Sequence, residues 1–189
     1  MDIHPILKIA GGVCTLLLFV PLVVQTNKDN AAGQSFSTWF LWAIMDSTLA
    51  VSTLAQHGNF LLPMGFACGS VFMTILLVAK RRFGWGWIDT VIAAMVVGCL
   101  VGWYLGGART AIVCTTIATS LATIPGLIEM WKNPQRAVGN IWAGYTLANG
   151  LSLLGGSGWT IEERFTPAVF TGLSFAMYVA SLKRKGKQQ

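Results

Sequence analysis

The sequence predicts an all-α integral membrane protein with seven transmembrane helices, arranged as two parallel three-helix bundles joined by a linker helix. Three observations lead there. Apolar segments recur along the whole chain. The basic residues gather on alternate connections between those segments. Residues in the first half reappear, with matching type and spacing, about 104 positions later.

Composition sets the class. Of 189 residues, 54% are hydrophobic and 11% charged, with a mean hydropathy of +0.62; a soluble domain carries roughly 25% charged residues. The net charge of +6 would suit nucleic acid if it clustered on one surface. The basic residues instead stand at segment ends, where they orient a chain in a bilayer, so lipid and not nucleic acid is the expected partner. Cys14, Cys68, Cys99 and Cys114 lie within apolar runs, with no CxxC and no Cys/His cluster. They are read as small buried packing residues, without disulfides or metal. The N-terminal segment has only Lys8 as a basic residue and no small-x-small cleavage site, so it is expected to remain as a helix.

The seven apolar segments are 6–24, 36–56, 60–79, 88–105, 111–130, 141–154 and 166–182. Several approach the roughly 20 residues of a span; the sixth is short and must borrow flanking residues. Numbering them in turn puts Lys8, Arg109 and Arg164 on one side and the other ten basic residues, including Lys80-Arg81-Arg82 and Lys183-Arg184-Lys185, on the other. The positive-inside rule then makes the C-terminus cytoplasmic and the N-terminus external, as expected for a bacterial inner membrane.

Internal repetition decides the layout. Pro21/Pro125, Pro63/Pro167, Phe66/Phe170, Ser70/Ser174 and Met73/Met177 are each 104 apart; Trp39/Trp142, Trp42/Tyr145 and Asp46/Asn149 are 103 apart. The one-residue drift fits an indel in the first connection. Three spans leave the chain on the opposite side, so two copies in one orientation need a fourth span between them. The expected units are a first bundle at 5–82, a linker helix at 83–108 and a second bundle at 109–185. The linker carries Gly98-x3-Gly102-x3-Gly106, a ridge suited to close helix packing.

Asp46 is the one charge set in the middle of an apolar segment. A carboxylate at mid-bilayer depth costs about 2.5–3.5 kcal/mol on insertion scales, which marks it for function. Trp39, Trp42 and Asp46 are spaced i, i+3, i+7, and Trp142, Tyr145 and Asn149 repeat that spacing, so each set lines one helix face. These six are the candidate substrate-binding residues. The carboxylate and amide would meet a solute at the seam between bundles, and the rings would stack on a sugar face or a cation. Pro21 and Pro125, each removing a helix hydrogen bond, are the candidate hinges. Pro63 and Pro167 sit near segment starts and suit a first helical turn. Trp85, Trp87, Trp131 and Trp159 flank spans as an interfacial belt. His4, His57 and Glu162-Glu163-Arg164 are read as solvated turns, and Gly155-Gly156-Ser157-Gly158 as a turn after a span. No nucleophile–base pair, phosphate loop or metal spacing emerges, so no enzyme, cofactor or metal is expected.

The three-one-three layout, with a proline in the first helix of each triplet, resembles the SWEET sugar transporters and the wider PQ-loop superfamily over residues 5–185. Pro21-x3-Gln25 and Pro125-x3-Glu129 stand where that family has an adjacent proline–glutamine pair; the literal Pro134-Gln135 falls in a connection. Neither second helix has the family's proline, and Ser70 and Ser174 stand where it places asparagine. The resemblance implies a transporter working by alternating access, with sugar the first solute. Related folds carry vitamin precursors, cystine or cationic amino acids, and one is a sorting receptor. A cationic or zwitterionic amine or a vitamin precursor is the alternative solute, with transport proton-coupled if Asp46 titrates and facilitated diffusion if it does not, and a non-transporting receptor is the alternative class; homo-oligomerisation is compatible with either.

Overall fold

The computed structural model describes residues 2–28, 36–132, 134 and 136–182. The expected loop-one indel, Gln135 and Lys183-Arg184-Lys185 lie outside the described residues, as do the side chains of Gln25, Lys28, Pro125 and Glu129. The described chain is all-helical: α1 (His4–Leu17), α2 (Phe19–Lys28), α3 (Phe36–Ala55), α4 (Leu61–Ala79), α5 (Trp87–Lys132), α6 (Arg136–Leu154), a π-helical turn (Ile161–Phe165) and α7 (Thr166–Leu182).

Local chemistry explains where the helices break. Pro21 has no N–H to offer the Leu17 carbonyl one turn earlier, and its ring crowds that oxygen. The helix is interrupted at Leu18, between α1 and α2. Along α5 the only non-helical residue is Gly107, at φ 74 and ψ −175; the backbone of residue 125 stays helical. A positive φ suits glycine, which has no Cβ to clash. The chain folds back there: a methyl on Gly102 would lie 3.7 Å from Cys114 Sγ, and Ile92, Val96 and Cys99 pack with Cys114, Ala118 and Ala122. α5 is therefore an antiparallel hairpin of two arms, 87–106 and 108–132. Pro63 is the third residue of α4, in a first turn where a missing N–H costs nothing; Pro167 is the second residue of α7 but follows directly on the π-helical turn, so it lies within a continuous helical stretch and not at a helix start as expected. α6 begins five residues before its apolar stretch.

Among the described residues, four helical stretches are long and apolar enough to cross a membrane: 4–24, 61–79, the hairpin segment 89–124, and 161–182. The other long helices, α3 and α6, have 20 and 19 residues and bury Asp46, Asn149, Ser52 and Ser152. Polarity is distributed as lipid demands. Ile6, Ile9, Val13, Leu17 and Val20 face outward along the first helix, whereas Thr15, Ser37, Ser70, Thr115 and Thr116 are buried. In a bilayer the apolar side chains need no shelter, and polar groups find partners inside.

The helices close a ring. α1 packs on α4, α4 on α3, α3 on α5, α5 on α7, α7 on α6, and α6 on α1. Exchanging α1 with α5, α3 with α6, and α4 with α7 maps this set of neighbours onto itself. Glycines allow the close approaches. A methyl on Gly12 would meet the Leu61 carbonyl oxygen at 2.8 Å, and one on Gly11 would meet that of Ala148 at 2.9 Å, so adjacent glycines seat α1 between α4 and α6. The expected linker ridge does not act this way: a methyl on Gly98 would meet nothing within 4 Å. Cys99 is buried, but Cys68 faces outward, which departs from the expectation that all four cysteines are buried.

Candidate functional site

The centre of the ring holds a cavity of about 240 Å³. Of the six candidate binding residues, Asp46, Trp39, Trp42, Trp142 and Tyr145 line it. Asn149, fully buried, stands one layer back. Its Nδ2 donates to Ser174 Oγ at 3.2 Å and to the Tyr145 carbonyl at 2.8 Å, and Ser174 is what reaches the cavity. The two polar stripes therefore approach one centre, the first through its carboxylate and the second through a serine.

Asp46 sits at the middle of α3 and is 4% exposed. Ser70, from α4, donates to its Oδ2 at 2.6 Å. The second carboxylate oxygen has no hydrogen-bond partner among the described residues, and no Lys, Arg or His lines the cavity. The Trp42 Nε1–H is also buried without a partner. The remaining hydroxyl protons mostly point elsewhere: Thr119 donates to Met45 Sδ at 3.7 Å and Thr123 to the Thr119 carbonyl at 2.8 Å.

Aromatic rings form the rest of the wall. Phe19 meets Trp39 edge-on at 5.9 Å and Tyr145 at 6.0 Å. Phe66 stacks on Tyr145 at 5.5 Å and meets Phe170 edge-on at 5.7 Å. These separations lie in the favourable range for ring pairs. Phe66 and Phe170 are themselves 104 positions apart, as are Phe19 and Thr123. Phe19, Thr119 and Thr123 escaped the sequence reading because none is unusual in a membrane helix; the 104-residue offset was the signal that could have found Phe19 and Thr123.

One end of the ring is fastened by polar contacts. Lys8 Nζ lies 2.9 Å from Glu163 Oε2 and donates to Ser157 Oγ at 3.0 Å; the Ser157 N–H donates to Glu163 Oε2 at 3.0 Å. Arg109 pairs with Glu162 at 2.8 Å, and Asn59 Nδ2 donates to the Ser152 carbonyl at 2.9 Å. Glu163 is buried, so the expected solvated turn is instead a packed π-helical corner that clasps the first helix. Sequence could not reveal this, because the partners are 155 residues apart. Behind it, Leu49, Ile112 and Phe170 form an apolar plug. The cavity lies toward the opposite end, where Lys80, Arg81, Arg82 and Lys132 stand. Trp85, Trp87, Trp131 and Trp159 are exposed around the outside. Among the described residues, no group of His, Cys, Asp and Glu is arranged to hold a metal. The chain matches no protein-family profile, no curated protein and no solved structure.

Proposed function

We propose that this chain is a membrane transporter carrying a small solute by alternating access through the central cavity. The observation that carries the reading is the position of Asp46: a carboxylate in the middle of a membrane-length helix, one oxygen free, facing a cavity enclosed by the ring. Polar groups buried at mid-membrane depth mark solute pathways, and repeat-built transporters bind between their halves.

The matched neighbour relations support two three-helix units, one of α1–α2, α3 and α4 and the other of the 108–132 arm, α6 and α7. The 87–106 arm is then the linker, giving seven crossings. The Lys8–Glu163 fastening closes one mouth, external by the positive-inside rule, and the cavity is reached from the cytoplasmic side. Rocking the units apart at the fastened end and together at the other would change the face of the site, with the interruption beside Pro21 and the proline at 125 as bending points. On resemblance alone the solute is a sugar.

A thermal-shift screen of sugars, amino acids and vitamins on wild type and Asp46→Asn tests this. A compound that stabilises only wild type, and then enters proteoliposomes only when the protein is present, is the expected result. Saturable binding with no flux would make the chain a receptor instead.

A further inference from the structure

We infer that the solute is a small organic cation, an ammonium bearing an acceptor oxygen, and that it exchanges with a proton on Asp46. This rests on the transport reading above.

The lining is wrong for a sugar, whose ring of hydroxyls needs a matching ring of donors and acceptors. Ser70 has spent its proton on Asp46, and Thr119 and Thr123 have spent theirs on α3 and α5. What remains is one carboxylate oxygen, the Trp42 N–H and the Ser174 and Tyr145 hydroxyls, too few for the full set of hydroxyls on a sugar. Around them stand the faces and edges of Trp39, Trp42, Trp142, Tyr145 and Phe66. Rings about a single carboxylate are the environment an ammonium prefers, through its charge and the quadrupole of each ring. The unpartnered Trp42 N–H supplies the donor for one oxygen on the same ligand. At about 240 Å³ the space falls below the roughly 300–1,000 Å³ of sites for drug-sized ligands, so the cation is small.

Exchange follows from charge. The groups facing Asp46 are Ser70 from α4, Thr119 and Thr123 from α5, Tyr145 from α6 and Ser174 from α7, with Cys14 of α1 beyond Tyr145. None carries a positive charge. A carboxylate removed from water without a counter-ion is strongly disfavoured, so Asp46 holds either a proton or a cation. When the ammonium binds, the carboxyl O–H bond breaks, the proton passes to cavity water, and the carboxylate pairs with the ammonium. The site then carries one positive charge per crossing in either form, which is the condition for antiport.

The test uses purified full-length protein with choline, tetramethylammonium and ethanolamine. Glucose and dimethylbutanol, the uncharged carbon isostere of choline, are the neutral controls. Ammonium compounds raise the unfolding temperature and the isostere does not. Binding releases about one proton into weakly buffered medium, and affinity falls about tenfold per pH unit where the proton competes. Asp46→Asn loses binding by about tenfold or more. The wild-type comparison of choline with its isostere stands even if the variant folds poorly. Equal binding of the isostere, binding without proton release between about pH 5 and 8, or silence from every ammonium overturns the inference. A sugar that binds and is carried overturns the cation but leaves the transport reading. An ammonium that binds with proton release yet never enters proteoliposomes overturns transport and the exchange across the membrane.

Discussion

Ser70 donates its hydroxyl proton to Asp46 Oδ2 at 2.6 Å. The same bridge recurs between α6 and α7, where Asn149 donates to Ser174 Oγ at 3.2 Å. Asp46 and Asn149 are 103 residues apart and Ser70 and Ser174 are 104 apart, so one cross-helix contact is made twice with different chemistry. The first copy keeps an acid and leaves one of its oxygens free; the second holds a neutral amide out of the cavity. A site built this way is chemically one-sided despite its matched scaffold.

Removing the first bridge should cost little stability and much function. Cross-helix hydrogen bonds in membranes average about 0.6 kcal/mol and reach about 1.7. Ser70→Ala is expected to lower stability by about 1 kcal/mol in reversible unfolding in detergent. The double variant with Asp46→Ala, which leaves no acceptor for the Ser70 hydroxyl, should show coupling of at least about 0.5 kcal/mol in a mutant cycle. Strict additivity would mean that the bridge is not formed.

The Lys8–Glu163 pair should behave as a partly buried ion pair, with side-chain exposures of 18% and 11%. Glu163→Gln is expected to destabilise by about 1–2 kcal/mol, between an exposed pair and one broken in a core. The reversed pair, Lys8→Glu with Glu163→Lys, should recover only part of that loss, because the Ser157 N–H loses its carboxylate acceptor. If the pair holds one mouth closed, Glu163→Gln also makes a cavity-lining Ser174→Cys more reactive to an impermeant thiol reagent applied from that side.

Close packing at α1 predicts a sharp contrast between glycines. Gly12→Val has no room, since even a methyl would sit 2.8 Å from the Leu61 carbonyl oxygen. Overpacking of this kind costs about 1–3 kcal/mol or more, seen as a lower unfolding temperature and a broadened gel-filtration peak. Gly98→Ala meets open space and should be neutral or slightly stabilising, because alanine is the better helix former by up to about 1 kcal/mol. Loss of folded protein in Gly98→Ala would mean that a partner covers that face.

The Trp42 indole N–H has no internal partner, so Trp42→Phe should leave stability within about 1 kcal/mol of wild type. Ligand affinity should fall about fivefold to tenfold, the worth of one ordinary hydrogen bond. Trp87→Phe, on the exposed outer surface, serves as the comparison and should change neither. Equal losses in the two variants would place the ligand away from α3.

Much of this was legible in the residues themselves. Helical class, segment positions to within a few residues and the first-turn place of Pro63 followed from periodicity and from backbone chemistry, which act over a turn or two. Asp46 stood out because a lone acid among apolar neighbours is costly wherever the chain places it. The 104-residue offset named residues that meet at the centre, Phe66 with Phe170 among them, without saying that they touch.

Other features waited for the tertiary structure because they depend on which helices become neighbours. Only the ring of contacts sets Asn149 behind Ser174, leaves the Trp42 N–H unpaired, and brings Lys8 to Glu163 across 155 positions. Glycine spacing in the linker suggested tight packing, yet the tight contacts belong to Gly11 and Gly12, because a small residue matters only where another backbone comes to meet it. Sequence alone determined which groups are expensive to bury; the fold decided which of them find a partner, and the carboxylate oxygen left without one marks the candidate site.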